Sequence, residues 1–307
     1  MEHRALGDTD LRPSLLGLGT SRLTSVSSGL SRRTALDLVS AAADLGINFI
    51  DTADIYGQGD SEVVIGEAIR GRRDRFIVAT KAGYRFGRTG GMLKMAKPLL
   101  KRVLRPFRHA RTWVATVRTN AETTNAIAQD FSPGYLVTAI DASLRRLRTD
   151  YLDILYLHEP PALFDLSDEL RAAMEQIRRA GKVRYFGIAA AHDESVERVR
   201  RDPLLRVAQT EVHPWCPAAS QSALPAAGKG VVVHRVFAHG EEQRLDEFAR
   251  RYAITPRQAI LGYVAQQPFV SSILTGTTNV GHLRENIASV VSTRNIPFKE
   301  LAERCPG

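Results

Sequence analysis

The sequence predicts a (β/α)8 TIM barrel, and three observations carry that expectation. Eight short strand-like runs recur along 307 residues: SLLGLG, INFID, FIVATK, DILYLH, RYFGIA, RVAQTEV, VVVHRV and SSILTG. Several are apolar throughout, the pattern of strands buried on both faces of a parallel sheet. Amphipathic or loop segments separate them, and eight such pairs in a chain of this length suit one closed barrel. An open doubly wound sheet is the alternative. It calls for a G-x-G-x-x-G turn after an early strand, and GLGTSR and GQGDSE both miss that spacing.

Residues 4–16, RALGDTDLRPSLL, read as a short N-terminal β-hairpin with a Gly-Asp turn ahead of the first barrel strand. The second strand ends at Asp51 and the third at Lys81. Residues 83–131 then far exceed an ordinary βα loop, so they form an insertion on the barrel's C-terminal face. Regular structure resumes at Ser132, an N-cap, and Pro133, suited to the first helical position. Leu136, Ile140, Leu144 and Leu147 share one face of that helix. The fourth strand ends at His158. In LSDELRAAMEQIRRAGKVRYF a helix stops at Gly181, a good C-cap, and a strand follows at once. No linker or low-complexity tract interrupts residues 1–307, which read as a single domain.

Hydrophobic residues at 44% and charged residues at 24% fit a globular chain with a full core. Cys216 and Cys305 match no metal or redox spacing, so the expectation is a reducing, cytoplasmic setting and no metal. The first residues lack the apolar core of a signal peptide, and no run approaches the length of a transmembrane segment. Net charge is +9, yet Arg85 to Arg118 holds ten Lys or Arg and no acid, leaving −1 for the rest. A solvated loop is the commonest fate of such a run. Attraction of an anionic or carrier-linked substrate, or of an acidic protein partner, is the next reading. An interfacial helix using Met92, Leu93, Leu99, Leu100, Val103 and Leu104 is the third. Phe86, Phe107 and Trp113 are too few and uneven to stack nucleic-acid bases.

Barrel chemistry gathers at the C-terminal ends of the strands. Asp51, Lys81 and His158 stand there, with Tyr56 five residues beyond the first. A phenol titrates near pH 10, so it is a poor acid at neutrality unless a neighbour stabilises its conjugate base. The Lys81 ammonium is that neighbour, Asp51 can anchor it, and His158 can orient the reacting oxygen. Singly, these residues read as a cap, a solvated strand end, a loop histidine and a ring lidding the core. Together at strand ends they point to protonation of a developing alkoxide, which is a carbonyl reduction. Asp54 reads as a turn or capping carboxylate.

The ordered segments G-I-N-F-I-D-T-A-D-I-Y-G, T-K-A-G, L-H-E-P and T-G-T-T-N-V-G-H-L-R-E-N resemble the aldo-keto reductase superfamily, from about Arg4 to Val290. The resemblance implies a barrel that binds NADPH, or NADH, without a Rossmann domain. It implies a catalytic tetrad of Asp51, Lys81, His158 and the proton donor Tyr56. It also implies cofactor contacts from Thr20, Gln209, His234, Thr277, Thr278, Glu285 and Asn286. The expected substrate is a small aldehyde or ketone, and the expected state is a monomer.

Two departures from the family pattern bear on the nicotinamide end. Where the family's fifth strand usually ends in G-x-S-N, this chain reads GIAAAH and places Ala189 and Ala190. Two lost neutral hydrogen bonds, each about 0.5–1.5 kcal/mol, weaken the cofactor by an order of magnitude or more. His234 stands where an aromatic ring usually stacks, and His192 reads as a helix N-terminal residue. Arg284 and Arg235 are the candidates for the 2′-phosphate. These departures keep a second reading open: a non-redox relative, either a binding subunit or an isomerase or lyase using the same acid–base groups.

Overall fold

The computed structural model describes residues 1–24, 30–86, 127–190, 192–215, 219–237 and 242–304. Eight parallel strands close into a barrel in the order β1-β10-β9-β8-β7-β6-β3-β2. These are β1 (Leu16–Gly19), β2 (Phe49–Asp51), β3 (Ile77–Ala82), β6 (Leu152–His158), β7 (Val183–Ala189), β8 (Leu205–Thr210), β9 (Gly230–Val233) and β10 (Ser272–Gly276). All eight expected strands are present. The largest mismatch is β9, which stops before His234. Arg235 is left-handed, at φ +54°, and a residue so twisted cannot continue a strand.

Strand alternation sorts the core into two layers. Facing inward are Phe49, Ile77, Ala79, Ile154, Tyr156, Ala189, Val207, Val232 and Leu274. Leu6 and Leu11 join them from the N-terminal segment and plug the barrel where β9 begins. That segment is hairpin-like: Arg4 donates to the Pro13 carbonyl at 3.1 Å, and Leu6 to that of Leu11 at 3.2 Å. Its one regular bridge joins His3 to Ser14. Gly7 turns at φ +57°, where an added Cβ would lie 2.5 Å from the Gly230 nitrogen. The outer layer packs the barrel against its helices.

The helix starts follow the residues that predict them. Ser132 accepts from the Tyr135 N–H ahead of Pro133–Leu147, and Leu136, Ile140 and Leu147 are buried. Ser167 caps Asp168–Arg179, and Gly181 beyond its end adopts φ +72°. Among the described residues no helix is long and apolar enough to cross a membrane.

The insertion begins and ends in two short strands. Its base is an antiparallel pair, β4 (Tyr84–Phe86) with β5 (Ile127–Gln129), pinned by an Arg85–Asp130 ion pair at 3.1 Å. Residues 87–126 lie outside the described residues, and with them the rest of the basic run, the proposed interfacial-helix residues, Phe107 and Trp113. Cys216 and Cys305 lie outside them too.

Gly187 marks a register shift between β7 and β8. A Cβ there would sit 2.2 Å from the Val207 carbonyl oxygen and 2.9 Å from the Tyr156 ring. Since a strand carbonyl cannot yield, Gly187→Ala is expected to destabilise the protein by about 1–3 kcal/mol. Urea unfolding followed by circular dichroism measures it.

Candidate active site

The inward alternation that builds the barrel interior also builds the site. Continuing two residues from Phe49, Ala79, Tyr156, Val207 and Val232 gives Asp51, Lys81, His158, Gln209 and His234, all at the C-terminal mouth. Lys81 and Asp51 are buried and paired, Nζ to Oδ2, at 2.5 Å, and Nζ also donates to the Thr52 carbonyl at 2.9 Å. Gln209 Nε2 donates to the other Asp51 oxygen at 2.8 Å. Burial pulls the lysine down, but Asp51 and Tyr56 outweigh it, and Lys81 is held above the ordinary lysine range. The ammonium is therefore permanent at neutral pH.

Tyr56 follows β2 in a tight turn. The Asp54 N–H donates to the Lys81 carbonyl at 3.1 Å, and the Tyr56 N–H to that of Ala53 at 3.1 Å. Gly57, at φ +60°, closes the turn against Thr24, whose hydroxyl would lie 2.1 Å from any Cβ. Lys81 Nζ stands 5.1 Å from the Tyr56 ring centre, and its charge favours the ionised phenol. The expectation of a phenol made acidic is corrected in one respect. Burial raises Tyr56 more than Lys81 lowers it, and Asp51 adds to the rise, so the net direction is upward. The resting phenol is protonated at neutral pH, the form a proton donor needs.

His158 meets Tyr56 edge-on, ring centres 6.0 Å apart. Burial and the charges of Lys81 and Arg235 hold it well below the ordinary histidine range, so it is neutral. The Tyr84 ring also meets it edge-on, ring centres 4.9 Å apart. His234 is likewise neutral, pushed down to about 3 by burial and then by Lys81. Glu159 and Arg235, both left-handed, face each other at 3.9 Å, and Arg235 also reaches Glu211 at 3.3 Å. These two non-glycine residues at positive φ border the site, where backbone strain commonly concentrates.

A nicotinamide fits the polar groups at this mouth. Gln209 commits its N–H to a carboxylate, so its oxygen can only accept, and that oxygen has no protein partner. His158 Nδ1 and His234 Nε2 are buried and without partners in the same region. A carboxamide N–H is a suitable donor for the Gln209 oxygen. Ala189 and Ala190 are buried, offer only methyl groups, and have their backbones engaged with Glu159 and Gln209.

The other named residues divide. The Thr20 hydroxyl is spent inside the fold, donating to the Asp51 carbonyl at 2.9 Å and accepting from Ser61 at 2.9 Å. Thr20 therefore positions Asp51. Thr277 is buried in the turn before the helix Val280–Ser292, and its hydroxyl accepts from the Asn279 N–H at 3.1 Å. Asn279 caps that helix by accepting from Gly281 at 2.7 Å; its place before an apolar run is the signal that sequence reasoning passed over. Thr278 and Asn286 are half-buried, while Glu285 and Arg284 are exposed. The helix's first-turn amides suit a phosphate. Arg235 belongs to the Glu159–Glu211 cluster at the mouth.

Comparison with known proteins agrees with this geometry. Residues 15–302 match the family model described as "Aldo/keto reductase family". An uncharacterized oxidoreductase, YqkF, of Bacillus subtilis is 27% identical, covering 96% of this chain and 92% of that protein. An NADH-specific methylglyoxal reductase of Escherichia coli is 24% identical, covering 94% of each. A solved aldo-keto reductase from Klebsiella pneumoniae in complex with NADPH superposes with a TM-score of 0.68 at 22% identity, covering 98% of this chain and 93% of that one. With nearly its whole length matched by the family model, the chain belongs to the aldo/keto reductase family.

Proposed function

We propose that the protein reduces an aldehyde or ketone, or runs the reverse alcohol oxidation, with NADPH or NADH as the hydride carrier and Tyr56 as the proton donor. One arrangement supports this best: a protonated phenol, a permanently charged lysine anchored by a buried carboxylate, and a neutral imidazole share one barrel mouth. The bound nicotinamide supplies the hydride. Lys81 stabilises the phenolate left when Tyr56 gives up its proton, and Asp51 and Gln209 hold Lys81 in place. The neutral His158 can donate a hydrogen bond to the substrate oxygen without adding charge. Gln209 and His234 would hold the nicotinamide end; Thr277, Thr278, Asn286 and Glu285 lie in or near the first turns of the helix Val280–Ser292, at the expected adenosine end.

The substrate class is a small carbonyl compound. Attraction for an anionic or carrier-linked one rests on the insertion's cations, because the described mouth surrounds Arg235 with Glu159 and Glu211. NADPH is the first choice of cofactor. Since Arg235 is engaged, Arg284 is the cation left for its 2′-phosphate. We read the enzyme as a cytoplasmic monomer of one domain.

Titrating NADPH and NADH while following protein fluorescence, then assaying cofactor oxidation with a panel of carbonyl compounds, tests the proposal. Saturable binding with substrate-dependent oxidation supports it, and absence of binding overturns it in favour of the non-redox relative. The two alanines give a further expected result. Ala189→Ser with Ala190→Asn restores two donor–acceptor groups and tightens cofactor binding about tenfold, read as the change in dissociation constant.

A further inference from the structure

A phenol outside the catalytic group ties the proton donor's turn to the neck of the insertion. Tyr135, on the helix Pro133–Leu147, places its hydroxyl oxygen 2.7 Å from the Tyr84 carbonyl and 3.2 Å from Asp54 Oδ2. A phenol has one hydrogen, so it can satisfy only one of two acceptors. The count closes when Asp54 carries a proton: Asp54 donates to the phenol oxygen, and the phenol donates to the carbonyl. When Asp54 is ionised, the carboxylate is the stronger acceptor and competes for the phenol hydrogen. The Tyr84 carbonyl then loses the Tyr135 donor.

Both ends of this tie reach the site. Asp54 lies two residues before Tyr56 and is bonded through its N–H to the Lys81 carbonyl. Tyr84 packs on His158 and donates its hydroxyl to Glu159 at 3.3 Å. The groups around Asp54 favour its neutral form near neutrality. Burial raises it most and Glu62 adds to the rise, while Tyr135, Arg146 and the Ile55 amide lower it, leaving it at about 7. Arg146 compensates little because its guanidinium is engaged with Glu62 at 2.6 Å.

We propose that Tyr135 is a positioning residue whose phenol holds Tyr84 against His158, and that a proton on Asp54 closes the tie. The substrate mouth is then tightest with Asp54 neutral. The kinetic consequence rests on the reductase reading; the thermal one below does not.

Steady-state kinetics of the full chain between about pH 6 and about pH 8 test it. The wild-type KM for the carbonyl substrate rises about threefold to tenfold across that range, the worth of one neutral hydrogen bond, while kcat changes less. In Asp54→Asn the amide N–H donates to Tyr135 at every pH, so KM stays flat at its acid-limb value. In Tyr135→Phe the tie is gone, and KM is flat and raised. Thermal unfolding gives a readout without turnover. Asp54 binds its proton more tightly folded than unfolded, so that stabilisation is full in acid and is lost as pH rises through about 7. The wild-type Tm therefore falls over this window by more than that of Asp54→Asn. An Asp54→Asn variant that keeps the wild-type slopes in KM and Tm overturns the proposal. So does a Tyr135→Phe variant with the wild-type KM profile.

Discussion

Tyr56→Phe is expected to lower kcat for carbonyl reduction by about 10²–10⁴-fold, the contribution of a positioned general acid. The dissociation constant for NADPH should stay within about twofold, because the residues proposed to hold the nicotinamide are Gln209 and His234, neither of which depends on the hydroxyl. The variant is also expected to fold. The ring still meets His158 and still lies under the Lys81 ammonium, so its packing is kept. Lys81 keeps its bonds to Asp51 and the Thr52 carbonyl and is not orphaned. Stopped-flow single-turnover measurement with saturating cofactor isolates the chemical step. A variant that reduces substrate at the wild-type rate in that experiment removes Tyr56 as the proton donor.

The loss also bears on how the phenol works. Burial keeps Tyr56 protonated across the neutral range, so the proposed donor holds its proton near pH 7. On the proposed assignment the cost lies in the phenolate left behind, and the fixed ammonium would reduce it. The sequence reading put Lys81 beside Tyr56, where it lies, and implied the opposite net direction for the resting phenol. Desolvation depends on everything packed around a ring, and none of that is contained in the spacing between residues 56 and 81.

The same distinction separates what was legible from what was not. The barrel was legible because its signals are local: apolar strand runs, Ser132 before Pro133, Gly181 after a helix. The site was legible because a barrel turns sequence position into spatial position. Asp51, Lys81 and His158 each lie at or one residue from a strand's end, and strand ends converge on one mouth. The end of β9 was not legible, since nothing in VVVHRV announces that Arg235 turns left-handed between Glu159 and Glu211. The β4–β5 neck was hidden by its brevity. Asp54 read as a turn carboxylate because its partners, Glu62, Tyr135 and Arg146, come from two different helices. A buried ionisable group is defined by tertiary neighbours, and its sequence neighbours say little about it.

The largest effect on the fold is expected from Lys81→Met. Methionine fills most of the lysine's volume and removes its charge, leaving the Asp51 carboxylate 4% exposed with Gln209 as its remaining partner. Breaking a buried ion pair from one side typically costs about 3–5 kcal/mol, because the surviving charge is no longer compensated. Burial already pushes Asp51 upward, and without the ammonium nothing comparable opposes it, so the variant regains stability in acid as the carboxyl takes up a proton. Its stability therefore declines as pH rises toward neutrality. Adding Asp51→Asn separates the charge effect from packing. The asparagine keeps an oxygen for Gln209 and carries no charge, so the double variant should recover most of the lost stability and lose the pH slope. Urea unfolding at a series of pH values measures both. Activity stays lost in the double variant, because the ammonium that stabilises the Tyr56 phenolate is still missing. If Lys81→Met alone unfolds at the wild-type urea concentration, the buried pair is not what holds the barrel mouth together. Stability regained without activity would show that the pair, which balances its own burial, is kept for the chemistry at Tyr56.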